Sequence, residues 1–77
     1  MEKTVEKTFG ERLKRARQDA GITQQAAADT FGISLRGYCR WEKGEHVPSY
    51  STLAAMARRF NVSADHLLGL DDEAPAD

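Results

Sequence analysis

The sequence predicts an all-α protein, folded as a compact bundle of five short helices. Apolar residues recur at helical spacing, and no segment shows the period-two alternation of a half-buried strand. Hydroxyl residues that can cap a helix start alternate along the chain with glycines that can end a helix. Because 77 residues supply only one modest hydrophobic core, we expect a single domain.

The first predicted helix covers residues 8–20. Thr8 and Glu11 have the spacing of a capping box, in which each side chain satisfies a backbone amide at the helix start. Gly21 can end the helix, since glycine adopts the left-handed conformation without strain. One face of this helix is apolar and carries Phe9, Leu13, Ala16 and Ala20.

Four further helices are predicted, each opened by a serine or threonine and followed by a turn. They cover residues 23–31, 34–43, 49–60 and 63–68, with Thr23, Ser34, Ser49 and Ser63 as caps. The domain is therefore expected to span residues 8–70. Residues 1–7 are expected to be flexible, and residues 71–77 to form a disordered tail.

The net charge of −1 is unevenly distributed. Residues 71–77 hold four acidic and no basic side chains, whereas residues 8–70 hold nine basic against six acidic ones. The chain is thus a mildly basic domain with an acidic tail, and its net charge does not exclude a nucleic-acid partner.

Several classes of protein are disfavoured. No apolar run approaches the roughly 20 residues of a membrane span, and no signal peptide is recognisable, so we expect a cytoplasmic protein. Cys39 is the single cysteine, and His46 and His66 lack metal-ligand spacing. No catalytic motif is present, so we expect no enzyme activity, no metal and no cofactor.

The segment 24–42 predicts two helices joined at a tight corner. Gly32 supplies the turn, and Ala28, four residues earlier, lets the helices approach closely. Apolar contacts around the corner are available from Phe31, Ile33, Tyr38 and Trp41. This is the arrangement that a helix-turn-helix requires.

The third helix is predicted to have two unlike faces. At about 100° per residue, Tyr38 and Trp41 share one side. The opposite side carries three cations, Arg36, Arg40 and Lys43. The aromatic side is expected to dock on the body. The basic side is then either a DNA-binding surface or an ordinary solvated face.

Four segments resemble, in order, the Cro/C1-type (XRE-like) helix-turn-helix family: FGERLKRARQDAG, ITQQAAADTFGIS, RWEKGEHVPS and TLAAMARRFNVSADHLLGL. The resemblance covers residues 9–70. It implies a five-helix bundle of the lambda-repressor-like type, whose members commonly bind operators as dimers.

The resemblance also implies roles for individual residues. Toward base edges it places Leu35, Arg36 and Arg40, and at backbone phosphates Thr23, Gln24, Ser34 and Lys43. Arg17 and Glu42 are implied to form an interior ion pair between the first and third helices. Leu35 either contacts a thymine methyl group or covers the hydrophobic corner.

Four positions depart from the family pattern, one of them Leu35, which is apolar where many members present a polar base reader. Ala27 stands where the family prefers leucine, and Tyr38 where it prefers isoleucine or valine. Gly37 lies inside the third helix, at a cost of about 1 kcal/mol relative to alanine.

Together these features predict a sequence-specific regulator of transcription that binds double-stranded DNA, a repressor on a two-fold operator. We expect a homodimer formed through the C-terminal third, where Leu67, Leu68 and Leu70 crowd together. The third helix of one copy would lie about 34 Å from the third helix of the other copy. The alternative is a protein-interaction module, such as the antitoxin of a toxin–antitoxin pair.

Overall fold

The computed structural model describes the backbone of residues 4–73 and the side chains of residues 4–71. Over this part of the chain it contains helices and no strands, so the all-α prediction is confirmed. The helices are α1 Val5–Asp19, α2 Gln24–Thr30, α3 Leu35–Glu42, α4 Tyr50–Phe60 and α5 Ala64–Leu68, followed by the 3₁₀ helix Leu70–Glu73.

Helices α2 to α5 begin at the caps that the sequence predicts. The Thr23 hydroxyl accepts a hydrogen bond from the Ala26 N–H at 3.0 Å, and the Ser34 hydroxyl accepts one from the Gly37 N–H at 3.0 Å. Ser49 and Ser63 make the equivalent contact at the starts of α4 and α5. Each bond satisfies one of the amides that a helix start leaves without a partner.

The predicted start of α1 is wrong. Thr4 is the cap, accepting from the Lys7 N–H at 3.1 Å, and the helix begins at Val5. The Thr8 N–H donates to the Thr4 carbonyl at 3.0 Å, so Thr8 lies inside the helix and its capping box with Glu11 is not the helix start. Thr4 offers the same hydroxyl one turn earlier. Residues 5–7 are therefore helical, and residues 1–3 lie outside the described residues.

The corner between α2 and α3 depends on Gly32. Its φ of 69° lies in the left-handed region, which glycine enters without strain. This conformation directs the Ile33 N–H back to the Ala28 carbonyl at 3.1 Å. The chain therefore turns sharply, and α3 packs against α2.

All five α-helices contribute to one core. Its fully buried side chains are Phe9 and Leu13 of α1, Ala27 and Ala28 of α2, Tyr38 of α3, Met56 of α4 and Leu67 of α5. Ala27 is smaller and Tyr38 larger than the residues the family prefers, and both are fully buried in this core.

The apolar residues of the C-terminal third are mostly used within the chain. Leu67 is fully buried, and Leu68 packs against the core. Only Leu70 of the three leucines is exposed, with 52% of its surface accessible. The expectation that these leucines leave a large uncovered surface for a dimer is therefore wrong.

The 3₁₀ helix is tied to α1 by a polar cluster. Arg12 Nη1 donates to the His66 carbonyl at 2.8 Å and to Asp71 Oδ1 at 3.1 Å, and His66 Nδ1 lies 2.8 Å from Asp71 Oδ2. The hydrogen bonds from His66 and Arg12 lower the pKa of the Asp71 carboxyl. Asp71, the first residue of the predicted tail, therefore contacts both α1 and α5. Residues 74–77 of the predicted tail lie outside the described residues.

Candidate nucleic-acid interface

Helix α3 presents the two faces that the sequence predicts. Tyr38 is fully buried and Trp41 is half-buried, with their rings edge to face at a centroid distance of 6.1 Å. On the outer side α3 and the following turn line an open depression of about 500 Å³, whose residues are Leu35, Arg36, Cys39, Arg40, Lys43 and Glu45. The arrangement gives a basic surface on a helix that is braced from behind.

The three cations of this surface are exposed. Arg40 lies near Glu45, with 3.9 Å between Nε and Oε1 and about half of each side chain accessible. A pair of this length and exposure contributes little, so Arg40 can exchange Glu45 for another partner. Leu35 is 40% exposed on the same surface.

Two of the predicted phosphate contacts lie at helix starts. Thr23 precedes α2 and Ser34 precedes α3, and both side chains are exposed. Each hydroxyl oxygen accepts the capping bond, which leaves its own hydrogen available to donate. Exposed N–H groups and hydroxyls at such positions suit an anion.

Lys43 closes α3 at its C-terminal end. Its carbonyl accepts a hydrogen bond from Lys7 Nζ at 3.2 Å. Lys7 therefore satisfies a carbonyl at the end of α3 and complements the negative end of the helix dipole. Lys7 lies in the segment predicted to be flexible, and local sequence pattern does not reveal this contact, because it joins residues 36 positions apart.

Arg17 and Glu42 join α1 to α3. Arg17 Nε donates to Glu42 Oε2 at 2.7 Å and Nη2 donates to Oε1 at 3.3 Å, with 11% and 4% of the two side chains exposed. Arg17 Nη1 also donates to the Ile22 carbonyl at 3.0 Å. Burial alone would raise the pKa of the Glu42 carboxyl, but the hydrogen bonds from Arg17 and Gln24, together with the nearby Tyr38 hydroxyl, outweigh it and lower the pKa. Glu42 is therefore held as a carboxylate.

The hydroxyl of Tyr38 lies beside this ion pair. Burial, followed by the Glu42 carboxylate, raises the pKa of the Tyr38 phenol. Among the described residues, no partner meets this hydroxyl with good hydrogen-bond geometry. A buried hydroxyl without such a partner is costly.

Gln24 also belongs to the ion-pair cluster. Its Nε2 donates to Glu42 Oε1 at 3.0 Å, and its Oε1 lies 3.5 Å from the Cys39 thiol, which donates to it. Gln24 is half-buried at the first position of α2. No local pattern in the sequence predicts this link, because it depends on the angle between α2 and α3.

The described residues show neither a metal-binding cluster nor a membrane-spanning helix. Among residues 4–73, no group of His, Cys, Asp and Glu side chains is arranged to hold a metal ion. No helix in the described part of the chain has the length and apolar character needed to cross a membrane.

Two helices at a tight glycine corner, with a braced second helix and a basic outer face, define the class of helix-turn-helix proteins. The chain belongs to this family: the family model described as "Helix-turn-helix" matches residues 13–67. The Cro/C1-type resemblance is confirmed.

Curated relatives agree with this assignment. The chain is 40% identical over 65 residues to the HTH-type transcriptional regulator ImmR of Bacillus subtilis strain 168, covering 84% of this chain and 51% of ImmR. It is 39% identical over 59 residues to the cryptic phage CTXphi transcriptional repressor RstR of Vibrio cholerae, covering 77% of this chain and 53% of RstR. The chain thus spans about half the length of these relatives.

A solved structure supports the fold. The crystal structure of the clp gene regulator ClgR from C. glutamicum superposes with a TM-score of 0.78 and covers 97% of both chains. Its sequence identity is 23%.

Proposed function

We propose that this chain is a sequence-specific DNA-binding protein that represses transcription in the bacterial cytoplasm. The observation that carries the proposal is the outer face of α3, where Arg36, Arg40 and Lys43 are exposed around one open depression. Relatives named as transcriptional regulators and repressors support this function.

The chain is proposed to make two kinds of contact with DNA, one to base edges and one to backbone phosphates. Arg36 and Arg40 read base edges in the major groove, because a guanidinium can donate two hydrogen bonds to guanine O6 and N7. Leu35, next to them, covers a thymine methyl group. Backbone phosphates are bound by Thr23, Gln24, Ser34 and Lys43, which supply position and affinity rather than sequence information.

We further propose that the protein binds a two-fold operator as a homodimer. One short α3 with three cations makes few contacts, and a second copy doubles both the base contacts and the phosphate contacts. Two copies would place their α3 helices about 34 Å apart, one turn of the double helix.

Selection of bound sequences from a random DNA pool tests the proposal. The selected sites are expected to share a motif with two-fold symmetry, and binding is expected to weaken as salt rises. A pool that stays random after selection would contradict sequence-specific binding. Sedimentation on a selected site tests the dimer separately, and one chain per site would exclude it.

A further inference from the structure

Gln24 uses both ends of its side-chain amide to hold α3. The Nε2 group donates to the carboxylate of Glu42 at 3.0 Å, and Oε1 accepts from the thiol of Cys39 at 3.5 Å. Cys39 and Glu42 are three residues apart, so they lie on neighbouring turns of α3. Gln24 therefore joins the start of α2 to one side of α3 by two hydrogen bonds.

The same carboxylate is fixed from the other side. Arg17 of α1 donates to both oxygens of Glu42 and also holds the Ile22 carbonyl, which lies just before α2. The three helices of this end of the molecule therefore meet at Glu42. Only the Gln24 contact spans directly from α2 to α3 within this cluster.

The orientation of α3 matters because its base-reading side chains lie far from the helix axis. A rotation of α3 by roughly 10° displaces a side-chain tip at a radius of about 6 Å by about 1 Å. Bidentate contacts need their groups within about 0.5 Å of the productive position. Nonspecific phosphate contacts tolerate such a displacement, because they depend mainly on charge.

We infer that Gln24 is a positioning residue, which sets the rotation of α3 through Glu42 and Cys39. Loss of Gln24 therefore reduces the discrimination between DNA sequences more than it reduces the general affinity for DNA. The inference rests on the proposed base-reading role of Arg36 and Arg40. It adds a function to Gln24 beyond a phosphate contact, for which the second hydrogen of Nε2 remains available.

Replacing Gln24 with methionine tests the inference, since methionine keeps the length and lacks both hydrogen bonds. The ratio of the Kd on scrambled DNA to the Kd on a selected site is expected to fall about tenfold, as loss of a hydrogen bond to a charged group implies. The Kd on scrambled DNA is expected to rise less than the Kd on the selected site, because the phosphate contact of Gln24 is lost on both DNAs alike and cancels in the ratio.

Gln25→Met is the matched control. Gln25 is the next residue of α2, is exposed, and donates to Asp29 of its own helix at 2.9 Å. This variant is expected to leave the ratio unchanged. Cys39→Ser, whose hydroxyl can still donate to Gln24, is expected to retain discrimination. An unchanged ratio in Gln24→Met would overturn the inference. If the ratio is unchanged because binding to both DNAs weakens equally, Gln24 is a phosphate contact only.

A second measurement needs no DNA. In ¹H–¹⁵N spectra of the free protein, Gln24→Met is expected to shift the amides of residues 39–43, whereas Gln25→Met shifts those of α2 alone. If the methionine variant does not fold, Gln24→Asn takes its place, because its shorter amide cannot reach both partners. Unshifted α3 amides would overturn the positioning role, whatever the outcome for DNA binding.

Discussion

Gly10 of α1 faces the backbone of Glu42 in α3 without space for a side chain between them. A Cβ atom added at Gly10 would lie 2.6 Å from the Glu42 carbonyl oxygen, 2.7 Å from that of Trp41 and 2.9 Å from the Gly44 nitrogen. All three neighbours are backbone atoms, which cannot move independently of the helix. The closest approach of α1 to α3 therefore requires glycine.

Gly10→Ala is expected to destabilise the protein by about 1–3 kcal/mol, because the added methyl group forces α1 and α3 apart. Helix propensity alone predicts the opposite sign, a gain of about 1 kcal/mol. Denaturant unfolding decides between them. Gly37→Ala is the control, since its nearest neighbour outside the helix backbone is the Ser34 hydroxyl at 3.3 Å. A Gly10→Ala variant more stable than wild type would contradict the packing argument.

Glu42→Gln is expected to lower the free energy of unfolding by about 3–5 kcal/mol, because it leaves the buried Arg17 charge without its partner. Thermal or urea unfolding measures the loss. Asp19→Asn is a matched control, since its pair with Arg15 spans 3.5 Å and leaves 76% and 70% of the side chains exposed. That variant is expected to stay within about 0.5 kcal/mol of wild type. Equal losses in the two variants would show that burial of the Arg17–Glu42 pair does not increase its contribution to the free energy of unfolding.

The stabilisation from Glu42 is expected to disappear in acid. The pKa of Glu42 is lower in the folded protein than in the unfolded chain, where it is about 4.3. The contribution is therefore complete above the unfolded pKa and is lost as the pH falls through the folded pKa. Unfolding measured from pH 7 to pH 3 should show the gap between wild type and Glu42→Gln closing at low pH. A gap that stays constant would contradict the lowered pKa. Asp71, whose pKa is also lowered, leaves some acid sensitivity in both proteins.

Tyr38→Phe is expected either to leave the free energy of unfolding within about 1 kcal/mol of wild type or to raise it. The variant keeps the buried ring and removes a hydroxyl whose desolvation no well-formed hydrogen bond offsets. Tyr38→Ala, which also removes the ring, is expected to cost about 3–5 kcal/mol. Urea unfolding of both variants checks the pair of values. A loss above about 2 kcal/mol in the phenylalanine variant would show that the hydroxyl stabilises the ion pair.

Arg36→Ala and Lys43→Ala are expected to affect DNA binding differently. Arg36→Ala should cost about 1–3 kcal/mol on the selected site and relax the choice at one base position. Lys43→Ala should weaken all sequences alike and reduce the salt slope by about one unit. Binding isotherms on selected and scrambled DNA at several salt concentrations separate the two. An equal loss on both DNAs for Arg36→Ala would make it a phosphate contact.

The sequence predicted much of the fold, because its signals are local. Hydroxyl caps predicted the starts of α2 to α5, and glycines predicted the ends of α2, α3 and α5. The spacing of Tyr38 and Trp41 against Arg36 and Arg40 distinguished the two faces of α3. The start of α1 was misplaced because Thr4 and Thr8 are both competent caps, one helical turn apart. Local pattern does not decide between them.

The links between helices could not be predicted in the same way. The contact of Gln24 with Glu42, and that of Lys7 with the end of α3, depend on crossing angles that no local spacing encodes. The expectation of a dimer through the apolar residues near the C-terminus has the same origin, because local spacing does not show what those residues pack against. Whether Leu67 faces a core or solvent follows from where α5 lies against α1.

All five α-helices begin at an uncharged hydroxyl, Thr4, Thr23, Ser34, Ser49 or Ser63. Such a cap does not titrate, so acid leaves every helix start intact. The acid-sensitive carboxylates Glu42 and Asp71 instead join one helix to another. Acidification below the lowered pKa values of these two groups therefore acts on the contacts between helices rather than on the helix starts. The positions through which acid reaches the fold are thus the ones that hold α3 and the 3₁₀ helix against α1.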